Sequence, residues 1–204
     1  MPYDYRKLTP EENQEVLRQR SERGYPLHSP PHPFRFSGYY LITASNFEHR
    51  AIMRDPARRT DFEARMIKTM EGIGADVSGW VVLPNHYHIL IGIESFDQIS
   101  GALKQLHGAT SYEWNRTDHA KGRRVWYRFV DRMIRNETHY YQSINYIHFN
   151  PIKHGCATDA YEWPWSSLGM YLDSQGREWL REKWTKYPIG EFGQGWDDEE
   201  IVNA

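Results

Sequence analysis

Two histidines one residue apart, His86 and His88, head a run that is otherwise apolar from Ile89 to Ile93. On a strand, residues i and i+2 point to one face, so the imidazoles stand side by side while Tyr87 and Ile89 face the other way. Polar rings at the start of an apolar strand need partners. They are either hydrogen-bonded structural histidines or half of a metal site. A complementary pair lies downstream, where Tyr146 and Asn150 are spaced to share one face of a helix that starts at Glu137. If that face meets the histidines, Asn150 can complete the shell of a divalent ion and Tyr146 can approach a metal-bound phosphate as nucleophile. A phenol, with an ordinary pKa of about 10, attacks poorly without such help. The plain alternative makes Tyr140, Tyr141 and Tyr146 core or rim aromatics.

A second group suits an unpaired nucleic-acid strand. Arg116, Lys121, Arg123, Arg124, Arg128, Arg132 and Arg135 alternate with Trp114, Trp126, Tyr127 and Phe129, a mixture of phosphate contacts and stacking surfaces in which Trp126 is a candidate base platform. Equally, this is an edge strand guarded by arginines with its aromatics in the core. Lys153 either touches the phosphate backbone or caps the helix before it. The net charge of −2 argues against a broad duplex grip, yet its distribution is uneven: residues 101–155 hold nine Lys/Arg against four Asp/Glu, and residues 156–204 hold four against ten.

Taken in order, the run Leu83-Pro84-Asn85-His86-Tyr87-His88, the run Tyr146-Ile147-His148-Phe149-Asn150-Pro151-Ile152-Lys153-His154-Gly155 and the run Trp163-Pro164-Trp165-Ser166-Ser167 resemble the REP-associated tyrosine transposases, single-tyrosine HUH nucleases. The resemblance spans residues 38–172. It implies a ferredoxin-like α+β fold, His86, His88 and Asn150 as ligands of Mg²⁺ or Mn²⁺, and Tyr146 as the nucleophile that forms a 5′-phosphotyrosyl link to single-stranded DNA. The implied substrate is a hairpin of a repetitive palindrome beside an unpaired cleavage site, cut and rejoined in transposition by a monomer or homodimer. The middle residue of the histidine motif is usually a plain hydrophobe; Tyr87 stands there instead and points away from the ligands on a regular strand. The rival readings are a non-catalytic, sequence-specific DNA-binding protein of the same fold and a metalloenzyme acting on a small molecule.

Positioning these residues requires an ordered set of elements. Tyr39 to Thr43 reads as a first strand, and residues 57–71 as an amphipathic helix through Phe62, Met66, Ile67 and Met70. Val77 to Leu83 and His86 to Ile93 form a hairpin about Pro84-Asn85. Ile99 to Trp114 is a second amphipathic helix, Val125 to Ile134 an edge or returning strand, and residues 137–149 a third helix ended by Asn150-Pro151. The order β-α-β-β-α-β-α gives an antiparallel sheet with helices packed on one face. His107 is expected at the surface or its boundary, and the tryptophan-rich run as a structural lid against the sheet.

Residues 1–37 read as an appendage with a capping box at Thr9-Pro10-Glu11-Glu12 and an extended proline-rich linker. Residues 173–204 read as an acidic tail, solvated beyond Tyr187. The single cysteine, Cys156, fits a reducing cytoplasm, and no run is long and apolar enough for a membrane span.

Overall fold

The computed structural model of the chain describes residues 37–196, together with Thr9, Glu11 and Arg18. The expected capping box, its helix and the proline-rich linker therefore lie outside the described residues, apart from those isolated positions. Within residues 37–196 the order is β1 (Gly38–Ser45), α1 (Pro56–Glu71), β2 (Asp76–Val82), β3 (His86–Ile93), α2 (Asp97–Thr117), β4 (Val130–Met133), α3 (Glu137–Lys153) and α4 (Leu168–Lys186), with short 3-10 turns at Phe47–His49 and Ala160–Glu162. The strands form one sheet in the order β2-β3-β1-β4, every neighbouring pair antiparallel. The α+β architecture expected from the element order is thus the observed one.

Alternation along the strands sorts the core into two layers. Tyr40, Ile42, Ala44, Tyr87, Ile89 and Ile91 pack with Phe62, Met66 and Met70 of α1 and with Ile99, Leu103 and Leu106 of α2. On the other face Leu41, Val81, Leu83 and Leu90 pack with Ile144 and Ile147 of α3. The expectation of helices on one face therefore holds for α1 and α2 only. Helix α3 covers the opposite face because Leu41 and Leu90 leave an apolar surface there that water would otherwise meet.

Close packing of α3 depends on Gly79 in β2. A Cβ at that position would stand 2.7 Å from Ile144 Cδ1 and 3.3 Å from Ser167 Oγ. The helix begins at Asn136, whose side chain accepts from His139 N at 2.9 Å. It runs one turn past the expected stop, because Pro151 removes a single amide donor near the end and His154 N still donates to Asn150 O at 3.1 Å.

The tryptophan-rich run does lie along the outer edge of β2. Val82 N donates to Trp165 O and Ser167 N to Trp80 O, each at 2.9 Å. Ser167 Oγ also accepts from Trp80 N at 3.1 Å and meets His148 Nε2 at 3.1 Å. Despite the serine–histidine pairing both side chains are wholly buried, so the contact ties α3 to the sheet.

Two histidines are held neutral by this packing. Burial lowers His148 to about 3. His107, expected near the surface, instead stacks on Trp126 at 4.5 Å and meets the Tyr87 hydroxyl at 2.9 Å, and burial lowers it to about 4. Below pH 6.5 the unfolded chain takes up protons at these rings that the folded chain refuses, so stability is full above that value and is lost as pH falls toward 4 and then 3. Melting temperature should fall steadily on acidification from pH 7 to pH 4, and His107→Gln should flatten the upper part of that slope; an unchanged slope would contradict the assignment.

Candidate functional site

Helix α3 and strand β3 bring together the four residues that the motifs single out. His86 and His88 lie on the α3-facing side of β3 with ring centroids 5.1 Å apart, and His86 Nε2 is 3.0 Å from Asn150 Oδ1. Tyr146 packs edge-on against His88 at 5.2 Å. All four are buried. Tyr87 faces the opposite layer, where burial pushes its phenol far above its usual value.

Each imidazole is held through its other nitrogen. Asn85 Oδ1 sits 2.7 Å from His86 Nδ1, and Thr43 Oγ1 sits 2.7 Å from His88 Nδ1, a contact that the β1–β3 register makes inevitable since Thr43 pairs directly with His88. Asn85 is itself fixed in the β2–β3 turn: its Nδ2 donates to His49 O, and its carbonyl accepts from Asn46 N at 2.6 Å.

In the tautomer whose Nδ1–H donates to Asn85 Oδ1, His86 turns an Nε2 lone pair toward another acceptor, Asn150 Oδ1. Two lone pairs at that separation repel unless a cation or proton lies between them. Their spacing matches neighbouring ligands of an ion bonded at about 2.0–2.1 Å with near-octahedral angles. The residues present therefore fit a divalent ion. Among the described residues no three His, Cys, Asp or Glu side chains cluster as a metal set, and the Asn150 amide oxygen is an oxygen donor 3.0 Å from His86 Nε2. His154 adds a further imidazole, its ring 4.8 Å from that of His86.

The extra turn of α3 matters here. Residues 146, 150 and 153 share a helical face, and Lys153 Nζ comes 3.5 Å from the Tyr146 hydroxyl. These side chains and residues 189–194 line a cavity of about 480 Å³, room enough for a nucleotide.

Residues 187–196, expected as a solvated tail, instead fold back over this face. Phe192 and Trp196 meet the Tyr146 ring edge-on at 5.7 and 5.6 Å, Arg132 lies 3.6 Å over Trp196, and Gly193 O is 3.4 Å from Lys153 Nζ. Phe192 and Trp196 fold down because an apolar face is open to them. The acidic run Asp197-Asp198-Glu199-Glu200 lies outside the described residues.

The basic group is divided by the structure. Arg116, Lys121, Arg124, Arg128 and Arg135 are exposed, as is Lys153, although its Nζ reaches in to Tyr146 and Gly193 O. Arg123 is paired with Asp118 at 2.6 Å, and Arg132 lies under Trp196. Trp126 is no base platform: it is 7% exposed, stacks on His107 and Phe62 and donates to Thr110 Oγ1 at 3.0 Å. Its neighbours Phe47 and Tyr127, spread over two segments, are half-buried.

Gly193 has φ +82, and a Cβ there would collide with the Tyr146 ring at 2.2 Å. Gly193→Ala should therefore lift residues 190–196 while leaving the sheet intact. Tyrosine nitration mapped by mass spectrometry is expected to rise at Tyr146; protection equal to the parent protein would refute the contact.

No protein-family model matches the chain. A REP-associated tyrosine transposase of Escherichia coli (strain K12) is 30% identical over 106 residues, which is 50% of this chain and 60% of that protein. The chain thus spans less than two thirds of that relative's length. The structure of a REP-associated tyrosine transposase bound to a REP hairpin superimposes with a TM-score of 0.60 at 21% identity, over 74% of this chain and 88% of that one. A putative transposase from Deinococcus radiodurans R1 aligns with a TM-score of 0.41 at 16% identity, over 59% and 95% of the two chains. By sequence over half its length, and by fold over 74% of it, the chain is similar to REP-associated tyrosine transposases.

Proposed function

We propose that the protein is a metal-dependent endonuclease and strand-transferase that cuts single-stranded, hairpin-bearing DNA through a tyrosine–DNA intermediate. The observation that carries this reading is the meeting of His86 Nε2 with Asn150 Oδ1 at 3.0 Å, beside a phenol packed on His88. A structural neighbour bound to a REP hairpin supports the choice of substrate class, and the sequence similarity supports transposition as the setting.

His86, His88 and Asn150 would hold Mg²⁺ or Mn²⁺, which when bound polarises the non-bridging oxygens of the scissile phosphate. Asn85 and Thr43 orient the two rings, so that each keeps one nitrogen for the ion. The Tyr146 oxygen attacks phosphorus and loses its proton; the bond from phosphorus to the 3′-oxygen breaks, and that oxygen takes up a proton to leave a 3′-hydroxyl. The 5′-phosphate stays on Tyr146. Lys153, 3.5 Å from the Tyr146 hydroxyl, places a positive charge beside the oxygen being deprotonated. Reversal by an incoming 3′-hydroxyl rejoins the strand and frees the tyrosine.

A second reading, a DNA-binding protein of the same fold that does not cut, draws on the cover that Phe192 and Trp196 form over Tyr146. Incubation with Mn²⁺ and hairpin-bearing single strands, followed by denaturing electrophoresis and peptide mapping, separates the two. A covalent adduct at Tyr146, absent in Tyr146→Phe while hairpin binding persists, is expected for the nuclease. Binding without any adduct, or an adduct at Tyr87, would overturn it. Thr43→Val removes the hydroxyl that holds His88, and should weaken Mn²⁺ binding, read by calorimetry without DNA, by about 10- to 100-fold.

A further inference from the structure

The loop after β1 carries an arrangement that neither the ligand set nor α3 uses. Phe47 and Tyr127 lie with ring centroids 4.9 Å apart, and the Arg124 guanidinium lies over both, 4.7 Å from Phe47 and 5.5 Å from Tyr127. Arg124 is exposed, and the rings are half-buried beneath it. Its Nε donates to Trp126 O at 3.3 Å, which helps to keep the guanidinium across the rings.

The two segments form one unit. Phe47 N donates to Val125 O at 2.7 Å, and Tyr127 N donates to Ser45 O at 2.9 Å. The turn holding Phe47 is strained, since Glu48 and His49 are consecutive non-glycine residues with φ +55 and +52. Ser45 is the register partner of His86, so this unit starts at the end of the sheet that carries the histidine pair. Arg50, Arg54, Lys121 and Arg128 are exposed around it. Glu48, bonded to Arg50, is the one acidic side chain within residues 46–54 and 121–128.

We propose that Arg124, laid on Phe47 and Tyr127, is a stacking platform for unpaired bases of the DNA strand that flanks the scissile phosphate. Lys121, Arg54 and Arg128 supply charge for the phosphates of the same strand. The proposal rests on the DNA-cutting reading above and deepens it by giving the single strand a docking surface separate from the ligand set. A guanidinium held over two rings tilted 44° to each other presents a cationic π surface against which any base can stack, and this suits a flank held without regard to its sequence.

The test uses the full chain carrying Tyr146→Phe, without divalent ion, so that binding is read with no cleavage. The probes are a fluorescent DNA hairpin with an unpaired flank and the same hairpin with a blunt end. Arg124→Ala is expected to weaken binding of the flanked hairpin roughly ten-fold and to leave the blunt one unchanged. Arg124→Lys keeps the charge but not the plane, and is expected to show the same loss with the same salt dependence as the parent. Both substitutions are at an exposed side chain, so folding is not at stake. Equal weakening of both hairpins, no weakening of either, or full binding by Arg124→Lys would each overturn the platform. Failure of the parent protein to form a tyrosyl adduct would sink the nuclease reading yet leave the flanked-against-blunt difference intact, so the two ideas fail separately.

Discussion

The approach of α3 to the sheet at Gly79 is the constraint on which the rest of the molecule depends. With hydrogen in place of a side chain, β2 lets Ile144 and Ile147 reach Leu41, Val81 and Leu90. Apolar contact over the middle of the interface sets the height of the helix, and its far end then delivers Asn150 to His86 and Tyr146 to His88. A polar constellation is thus assembled by hydrophobic packing next to it. The polar atoms could not do this alone, because a hydrogen bond exchanged with water contributes only about 0.5–1.5 kcal/mol net.

The support of the histidines is equally indirect. Thr43 reaches His88 from the neighbouring strand, and Asn85 reaches His86 from the turn that opens β3. Both supports are fixed by backbone register, since Thr43 pairs with His88 and the turn is tied down by Asn46 and His49. The ring orientations are therefore a property of the sheet, and they are set before any ion or substrate arrives.

Around this rigid centre the molecule divides its positive charge by function. Arg59 lies on Trp165 and Trp163 and bonds Met53 O, and Arg58 and Arg123 share Asp118, so these cations brace loops. Arg132 and Lys153 are drawn into the face that Trp196 and Gly193 cover. Among the cations left exposed, Arg50, Arg54, Lys121, Arg124 and Arg128 gather in the two segments that meet at the end of the sheet where the histidines lie. A chain with a net charge of −2 can thus present a locally basic surface, provided that its acids are gathered elsewhere or spent on ion pairs.

Local periodicity was enough to place the chemistry on its elements. Alternation put His86 and His88 on one face of a strand and Tyr87 on the other, and helical spacing put Tyr146 and Asn150 on one face of a helix. The antiparallel sheet and its element order follow from the same patterns, whereas the edge position of β4 is decided by the fold. What periodicity could not decide was which face meets which. Helix α3 lies opposite α1 and α2 because of side-chain volumes summed over residues far apart in the chain. Trp126 went inward and Phe47 stayed half-buried at the edge for the same reason, although both are aromatic residues among arginines. Lys153 joined the face of Tyr146 only because the helix survives Pro151, and residues 187–196 folded down only because that face offered them apolar surface. Sequence specifies the local period of each element; the partner of each face is settled by packing, which is a property of the whole chain.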